Sequence, residues 1–465
     1  MEDKVVKEFT SALSQADLDL VNGAIAGILL LNAYKDPFGF EGKELEKVID
    51  QSWMHKVTFL SLVDAIRDEK FLKKKAGKLI SKYVSDGWTD VRKAACYAEP
   101  LLLRVESEKK QRKWLEKQTK DLAKLDMAAA EGLALGVGVV TAHLSSGVHE
   151  LVLTLYRKLV EDQNAESVLA MAAYGVGIAG AGMGRPVEAA EVLKGLAEAS
   201  HKKVRQTASL CLAFLTPILP QAEKVEVAKL LIQLTGRQAT YPRNLAVIAG
   251  ILSSPDPQNF VEEVKSQPGG DLELSEIFAA WDKNGENTLE FFAQMLETEH
   301  SQLKLAVLYS TYVAESSRHK LQNKGEALKK MADLTADLSR GTMQAMRAVA
   351  LYRLLSFSLS LKTKDYMPAI QGLLRDTLKQ NRMLAALATA FIAGRADPSS
   401  LDAARRELFL TNDPQVRKGT MVGMGMAANP KIVESDTADE YLLGLLELLG
   451  QSPEIGFILL MIGYY

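Results

Sequence analysis

The chain has 465 residues, 47% hydrophobic and 25% charged, an ordinary soluble composition with length for about three domains unless it is built of repeats. Its 56 basic and 58 acidic side chains leave a formal charge of −2, and it holds 32 glycines and 14 prolines. A wholly basic nucleic-acid binder, an acidic tail protein, a collagen and a proline-rich disordered chain are thereby excluded. The only cysteines, Cys96 and Cys211, lie far apart, so there is no disulfide framework and no cysteine-rich zinc site. Two sparse thiols suit a reducing compartment, and a cytoplasmic protein is expected, the nucleus being equally reducing.

In chain order, the acidic start Met1-Glu2-Asp3-Lys4 lacks the basic opening of a signal peptide. Ala24 to Asn32 is apolar but too short for a bilayer, as is the terminal run Gly456 to Tyr465, since a span needs about 20 residues. No membrane insertion is expected. Strand alternation and Asn-Gly or Asp-Gly hairpins are missing, whereas Leu151, Leu155 and Leu159 fall one helical turn apart, and Leu442, Leu445, Leu446 and Leu449 share a face. Leu, Ala, Lys, Glu and Met dominate, all helix formers. The pattern predicts an all-α chain with helices of roughly 12 to 18 residues.

One motif recurs: a basic residue followed by a small-residue apolar run. It begins at Val91-Arg92, Val204-Arg205, Met346-Arg347 and Val416-Arg417, with weaker copies near Met127, Val168, Asn244, Lys304 and Met383. Starts recur about every 33 to 42 residues, with one gap of about 60 after Asn244 that holds Pro255, Pro257 and Pro268-Gly269-Gly270. A helix pair cannot bury its apolar faces alone, and stacked neighbours bury them for each other. Small residues let stacked helices approach closely. The arginine, together with the aspartate that precedes such a motif (Asp90, Asp413), is expected to bond turn to turn between repeats.

Asp90-Val91-Arg92 and Asp413-Pro414-Gln415-Val416-Arg417 resemble HEAT-repeat signatures. Gly132 to Gly138, Ala172 to Gly177 and Met421 to Gly425 resemble the proteasome/cyclosome variant of such repeats. The matches cover most of residues 85 to 430. The resemblance implies a right-handed α-solenoid superhelix of stacked antiparallel helix pairs, about 10–11 repeats in all. The expected organisation is residues 1–84 as divergent repeats or a cap, 85–250 as regular repeats, 251–300 as an aberrant repeat with a long loop, and 301–465 as regular repeats. The apolar C-terminus reads as a repeat cut short or covered by a partner.

No motif selects a catalytic, cofactor or metal site, and no enzyme activity and no cofactor are expected. Gly175-Val176-Gly177-Ile178-Ala179-Gly180 matches G-x-G-x-x-G but follows a helical stretch rather than a strand. Asp282 to Ala293 imitates a calcium loop, yet Asn287 stands at the glycine position and Ala293 at the bidentate glutamate position. The six histidines form no ligand pair.

One charge feature stands out. Ile66 to Lys124 holds 17 basic and 9 acidic residues. Lys73, Lys74, Lys75 and Lys78 form one cluster; Lys109, Lys110, Arg112, Lys113 and Trp114 form another, about one repeat later. Stacked on one face, they would make a basic stripe for phosphate backbone or an acidic peptide. Against this, Glu106, Glu108 and Glu116 are spaced for i,i+4 pairing with the same lysines, and Trp114 suits packing as well as base stacking. The expected function is a non-enzymatic scaffold that binds one or more proteins within a larger assembly, the alternative being a nucleic-acid or phosphate-binding solenoid using the stripe at residues 70–120.

Overall fold

The computed structural model describes residues 2–34, 42–66, 69–234, 236, 239–267, 271–285, 287–316, 324–341, 344–361, 365–396 and 411–427. Among these there are 24 α-helices and no strand. The leucine face at 442–449 and the apolar C-terminal run lie outside the described residues. The helices divide into two units, 80–327 and a second made of 1–79 with 328–465.

The first stretch runs α1 (Glu2–Leu13), α2 (Leu18–Tyr34), α3 (Gly42–Asp50), α4 (Trp53–Ser61), α5 (Glu69–Phe71), a π turn (Leu72–Ala76) and α6 (Gly77–Tyr83). The apolar segment beginning at Ala24 is a buried core helix, with Ala24, Ile25, Ile28 and Leu29 sealed from solvent between α1 and α4. Ser52 caps α4 by accepting a hydrogen bond from Met54 N–H.

Residues 80–327 alternate first and second helices of each pair. The first helices are α7 (Thr89–Leu101), α9 (Met127–Val140), α11 (Glu166–Gly182), α13 (Lys202–Leu215) and α15 (Tyr241–Ser253). Between them run α8 (Glu108–Asp121), α10 (His149–Asp162), α12 (Pro186–Ala197) and α14 (Gln221–Gln233). After α15 come three short helices, α16 (Pro257–Lys265), α17 (Leu272–Asn284) and α18 (Thr288–Leu296), before α19 (Ser301–Ser316). Despite this detour, α15 packs directly on α19, so the row of first helices runs α7, α9, α11, α13, α15, α19.

Small residues make that row possible. A Cβ on Gly132 would overlap the Lys93 carbonyl, one on Gly136 the Tyr97 carbonyl, and one on Gly175 the Ala134 carbonyl. Helix backbones therefore touch with no side chain between them. Tyr156, fully buried on α10, donates its hydroxyl to the Ala134 carbonyl at 2.6 Å, tying a second helix to the same contact. The G-x-G-x-x-G stretch thus lies inside helix α11, where its glycines serve packing.

The rest of the second unit holds α20 (Lys324–Leu338), α21 (Gln344–Leu361), α22 (Met367–Gly372), α23 (Lys379–Ala396) and α24 (Pro414–Ala427). Here Gly419 and Gly423 on α24 meet the Met383 and Leu387 carbonyls of α23 in the same backbone-to-backbone way.

The recurring arginine does two things. It donates back to carbonyls five and six residues earlier: Arg92 to Asp86 and Gly87, Arg382 to Asp376 and Thr377, Arg347 to Gly341, Arg417 to Thr411. It also reaches an aspartate at the start of the next repeat: Arg92 to Asp126 at 2.8 Å, Arg347 to Asp376 at 2.6 Å and Arg382 to Asp413 at 2.6 Å. Each of these aspartates accepts a backbone N–H at a helix start, from Ala129, Leu378 and Gln415. The bond between turns is therefore made by Asp413, as expected, while Arg92 reaches Asp126. Burial alone would raise the Asp376 carboxyl, but Arg347 and the Leu378 N–H outweigh it and bring it from 3.8 down to about 2. In α15 the buried Arg243 instead meets Asp271 at 2.6 Å and Glu273 at 2.9 Å, both at the start of α17.

Three outcomes follow for stability. Gly132→Ala forces backbones apart and is expected to cost about 1–3 kcal/mol in chemical denaturation. Gly195→Ala, inside α12 with open space around it, should instead gain up to about 1 kcal/mol from helix propensity. Because the Asp376 carboxyl is depressed on folding, its contribution is complete above 3.8 and is lost as pH falls toward about 2. Asp376→Asn should therefore flatten the acid limb of the stability curve in that window and leave its slope near neutrality unchanged.

Candidate protein-docking surface

The row of first helices buries one side of each helix and leaves a stripe uncovered. On α11 that stripe is Met171, Tyr174 and Ile178, spaced three and four residues apart, with Tyr174 38% and Ile178 42% exposed. On α13 it is Leu210 and Phe214, continued by Ile218 in the 3-10 turn Thr216–Ile218, with Phe214 44% and Ile218 51% exposed. Tyr241 at the start of α15 and Tyr309 in α19 complete the group. The Phe214 and Tyr309 rings meet edge to face at 5.6 Å, and Tyr241 stacks on Tyr309 at 6.2 Å. Burial, reinforced by Tyr309, Tyr174 and Cys211, pushes the Tyr241 hydroxyl up to about 12. The ring contacts join α13, α15 and α19, and α11 lies against α13, where a Cβ on Gly177 would meet the Cys211 side chain.

Near the N-terminal ends of α7, α9, α11 and α13, polar side chains pair between neighbouring helices. Lys93 of α7 pairs with Glu131 of α9, Glu131 also bonds Ser167 of α11, and Glu166 accepts the Lys203 N–H of α13. Burial would raise the Glu131 carboxyl, yet Lys93, Ser167 and Lys203 together hold it below its usual value. The arrangement is an apolar, aromatic centre beside a charged margin, the anatomy of a protein interface.

The two basic clusters belong to different units. In the first, Lys73 pairs with Glu69 at 3.3 Å, and Lys75 and Lys78 are exposed; the Lys74 side chain lies outside the described residues. In the second, Lys110 pairs with Glu106 at 2.8 Å and Arg112 with Glu108 at 3.4 Å, while Arg112 also donates to the Gly147 carbonyl at 2.7 Å. Lys109 and Lys113 are exposed, and with Lys117 and Lys120 they point away from the packed face of α8. Trp114 is turned from that face: it is half-buried and its indole bonds Glu99. Burial raises the Glu99 carboxyl, against the pull of Trp114 and Lys117.

The chemistry-bearing motifs resolve into structure. Cys96 and Cys211 are buried, and desolvation pushes both thiols up to about 12, which leaves them unreactive. In the calcium-loop imitation, Asp282 is held by Lys265 at 2.8 Å, and Asn287 accepts the Glu290 N–H at the start of α18. Among the described residues no three His, Cys, Asp or Glu side chains gather as a metal site, and no helix is long and apolar enough to cross a membrane.

The aromatic group was missed in the sequence because its members stand one or two per repeat and are joined only by stacking. The available signal was a large aromatic set in a small-residue run, as in Ala173-Tyr174-Gly175 and Ala213-Phe214.

No protein-family model matches the chain, and no curated protein does. Solved structures do. One is an engineered protein, 15% identical, covering 91% of this chain and 98% of its own, with a TM-score of 0.30. Another is the karyopherin Kap121p, solved bound to the extreme C-terminus of the protein phosphatase Cdc14p, 12% identical, covering 100% of this chain and 50% of the karyopherin, with a TM-score of 0.36. The chain thus spans half the length of that karyopherin.

Proposed function

We propose that this chain is a non-enzymatic, cytoplasmic protein-binding scaffold, acting within a larger assembly, whose partner docks on the aromatic face of α11, α13, α15 and α19. The observation that carries this reading is the exposed apolar cluster of Tyr174, Ile178, Phe214 and Ile218, backed by Tyr241 and Tyr309. Contiguous exposed apolar surface with a polar margin is a mark of interaction sites, and tyrosine is prominent among residues that carry binding energy. Helical repeats supply the extended surface such a scaffold needs.

The outward lysines of α8 support a second reading, in which Lys109, Lys113, Lys117 and Lys120 hold nucleic-acid phosphates. The two are separable by capture from source lysate, with and without nuclease. Tyr174→Ser, Phe214→Ser and Ile218→Ser combined should abolish nuclease-resistant, stoichiometric partners. The three side chains are each over a third exposed, but Phe214 gives up its edge-to-face contact with Tyr309, so the combined change should cost about 1–3 kcal/mol, and thermal unfolding checks that the fold is kept. Lys109→Glu with Lys113→Glu should leave that capture intact. Capture that vanishes with nuclease and with the lysine changes, yet persists in the aromatic variant, would favour the second reading.

A further inference from the structure

The unit containing residues 328–465 holds a cleft of about 360 Å³. Its walls come from the turn after α20, from α21, and from α22 with the 3-10 turn Leu373–Arg375. Three guanidinium groups line it, those of Arg340, Arg347 and Arg375, against one carboxylate, Asp376. Arg347 is committed: it pairs with Asp376 at 2.6 Å and donates to the Gly341 carbonyl at 3.0 Å. Arg340 and Arg375 are exposed, and neither meets a carboxylate among the described residues. The cleft therefore carries two cationic charges in excess.

The geometry points to a binding site for the oxyanion of an acidic peptide side chain, a carboxylate or a phosphate ester. We propose that Arg340 and Arg375 clasp that group from two sides of the cleft while Arg347, fixed by Asp376, holds the wall between α21 and the 3-10 turn. Guanidinium groups bind carboxylate and phosphate through paired N–H donors. Pro368, Ala369 and Leu373 add a short apolar strip suited to the methylenes or backbone of a peptide. Among the described residues no aromatic ring lines the cleft to stack a nucleobase; this favours a peptide over an oligonucleotide. The inference does not depend on the aromatic face.

Fluorescence anisotropy on the full chain tests it, with fluorescein-labelled hexaglutamate, a labelled glycine–phosphoserine peptide and a labelled uridine dodecamer as probes. One or both peptides should bind, more weakly as salt rises. Arg340→Glu and Arg375→Glu should each weaken binding about tenfold, the effect of losing one charge-assisted bond. Arg340→Lys with Arg375→Lys should fall between, keeping charge but losing the fork. Thermal unfolding of each variant shows that the fold is kept, as expected for two exposed side chains. Which peptide binds identifies the oxyanion. Binding of neither peptide at millimolar protein, equal binding by the double glutamate variant, or binding of the uridine dodecamer alone would overturn the proposal.

Discussion

Everything in this chain depends on how closely neighbouring helix backbones can approach. A side chain of ordinary size between two helices keeps their axes about 8–10 Å apart. At Gly132, Gly136, Gly175, Gly419 and Gly423 the carbonyl of the next helix occupies the place a Cβ would take. The stacked surfaces are thus set by backbone shape, and the register of one helix against the next is fixed at a few glycines. Tyr156, bonded to the Ala134 carbonyl, keys the second helix of a pair into the same contact.

The arginine–aspartate bonds do complementary work at the turns. Each arginine gathers the carbonyls of its own preceding turn and then holds the aspartate that starts a later helix. Local chain ends and neighbouring repeats are fixed by one side chain. Arg243 shows the same logic at the detour through α16, α17 and α18: its buried guanidinium is matched by Asp271 and Glu273. Removing one partner of such a buried pair would strand a charge, at a cost of about 3–5 kcal/mol. On α13, α15 and α19 outward positions fall beside one another, which is how Phe214, Tyr241 and Tyr309 meet.

The fold was legible because its determinants are periodic and local. Small-residue runs, the arginine at several helix starts and the absence of alternation all point to stacked helix pairs, and helices begin close to the motif starts: at Met127 for the start there, and at Lys202 and Pro414, two residues ahead of Val204 and Val416. The site was not legible, because it is assembled across repeats. No spacing within one helix says that Phe214 will lie on Tyr309 from a helix nearly a hundred residues later. The basic run was conspicuous in sequence for the opposite reason: charge is counted along the chain, and the i,i+4 pairing of Glu106 with Lys110 is readable there too, whereas partners from other elements, such as the Gly147 carbonyl for Arg112, appear only once the helices are placed.

The close approach of α11 and α13 can be measured with a native thiol. A Cβ at position 177 would lie 3.0 Å from the Cβ of Cys211, near the roughly 3.5–4.5 Å that a disulfide requires. In a Gly177→Cys variant refolded in a thiol–disulfide redox buffer, where the bond can close before Cys211 is buried, residues 177 and 211 should be joined and Cys96 left reduced, as read by peptide mapping. If both thiols are instead alkylated in denaturant after that refolding, α11 and α13 do not meet at Gly177, and glycine-mediated helix stacking is contradicted as the basis of the fold.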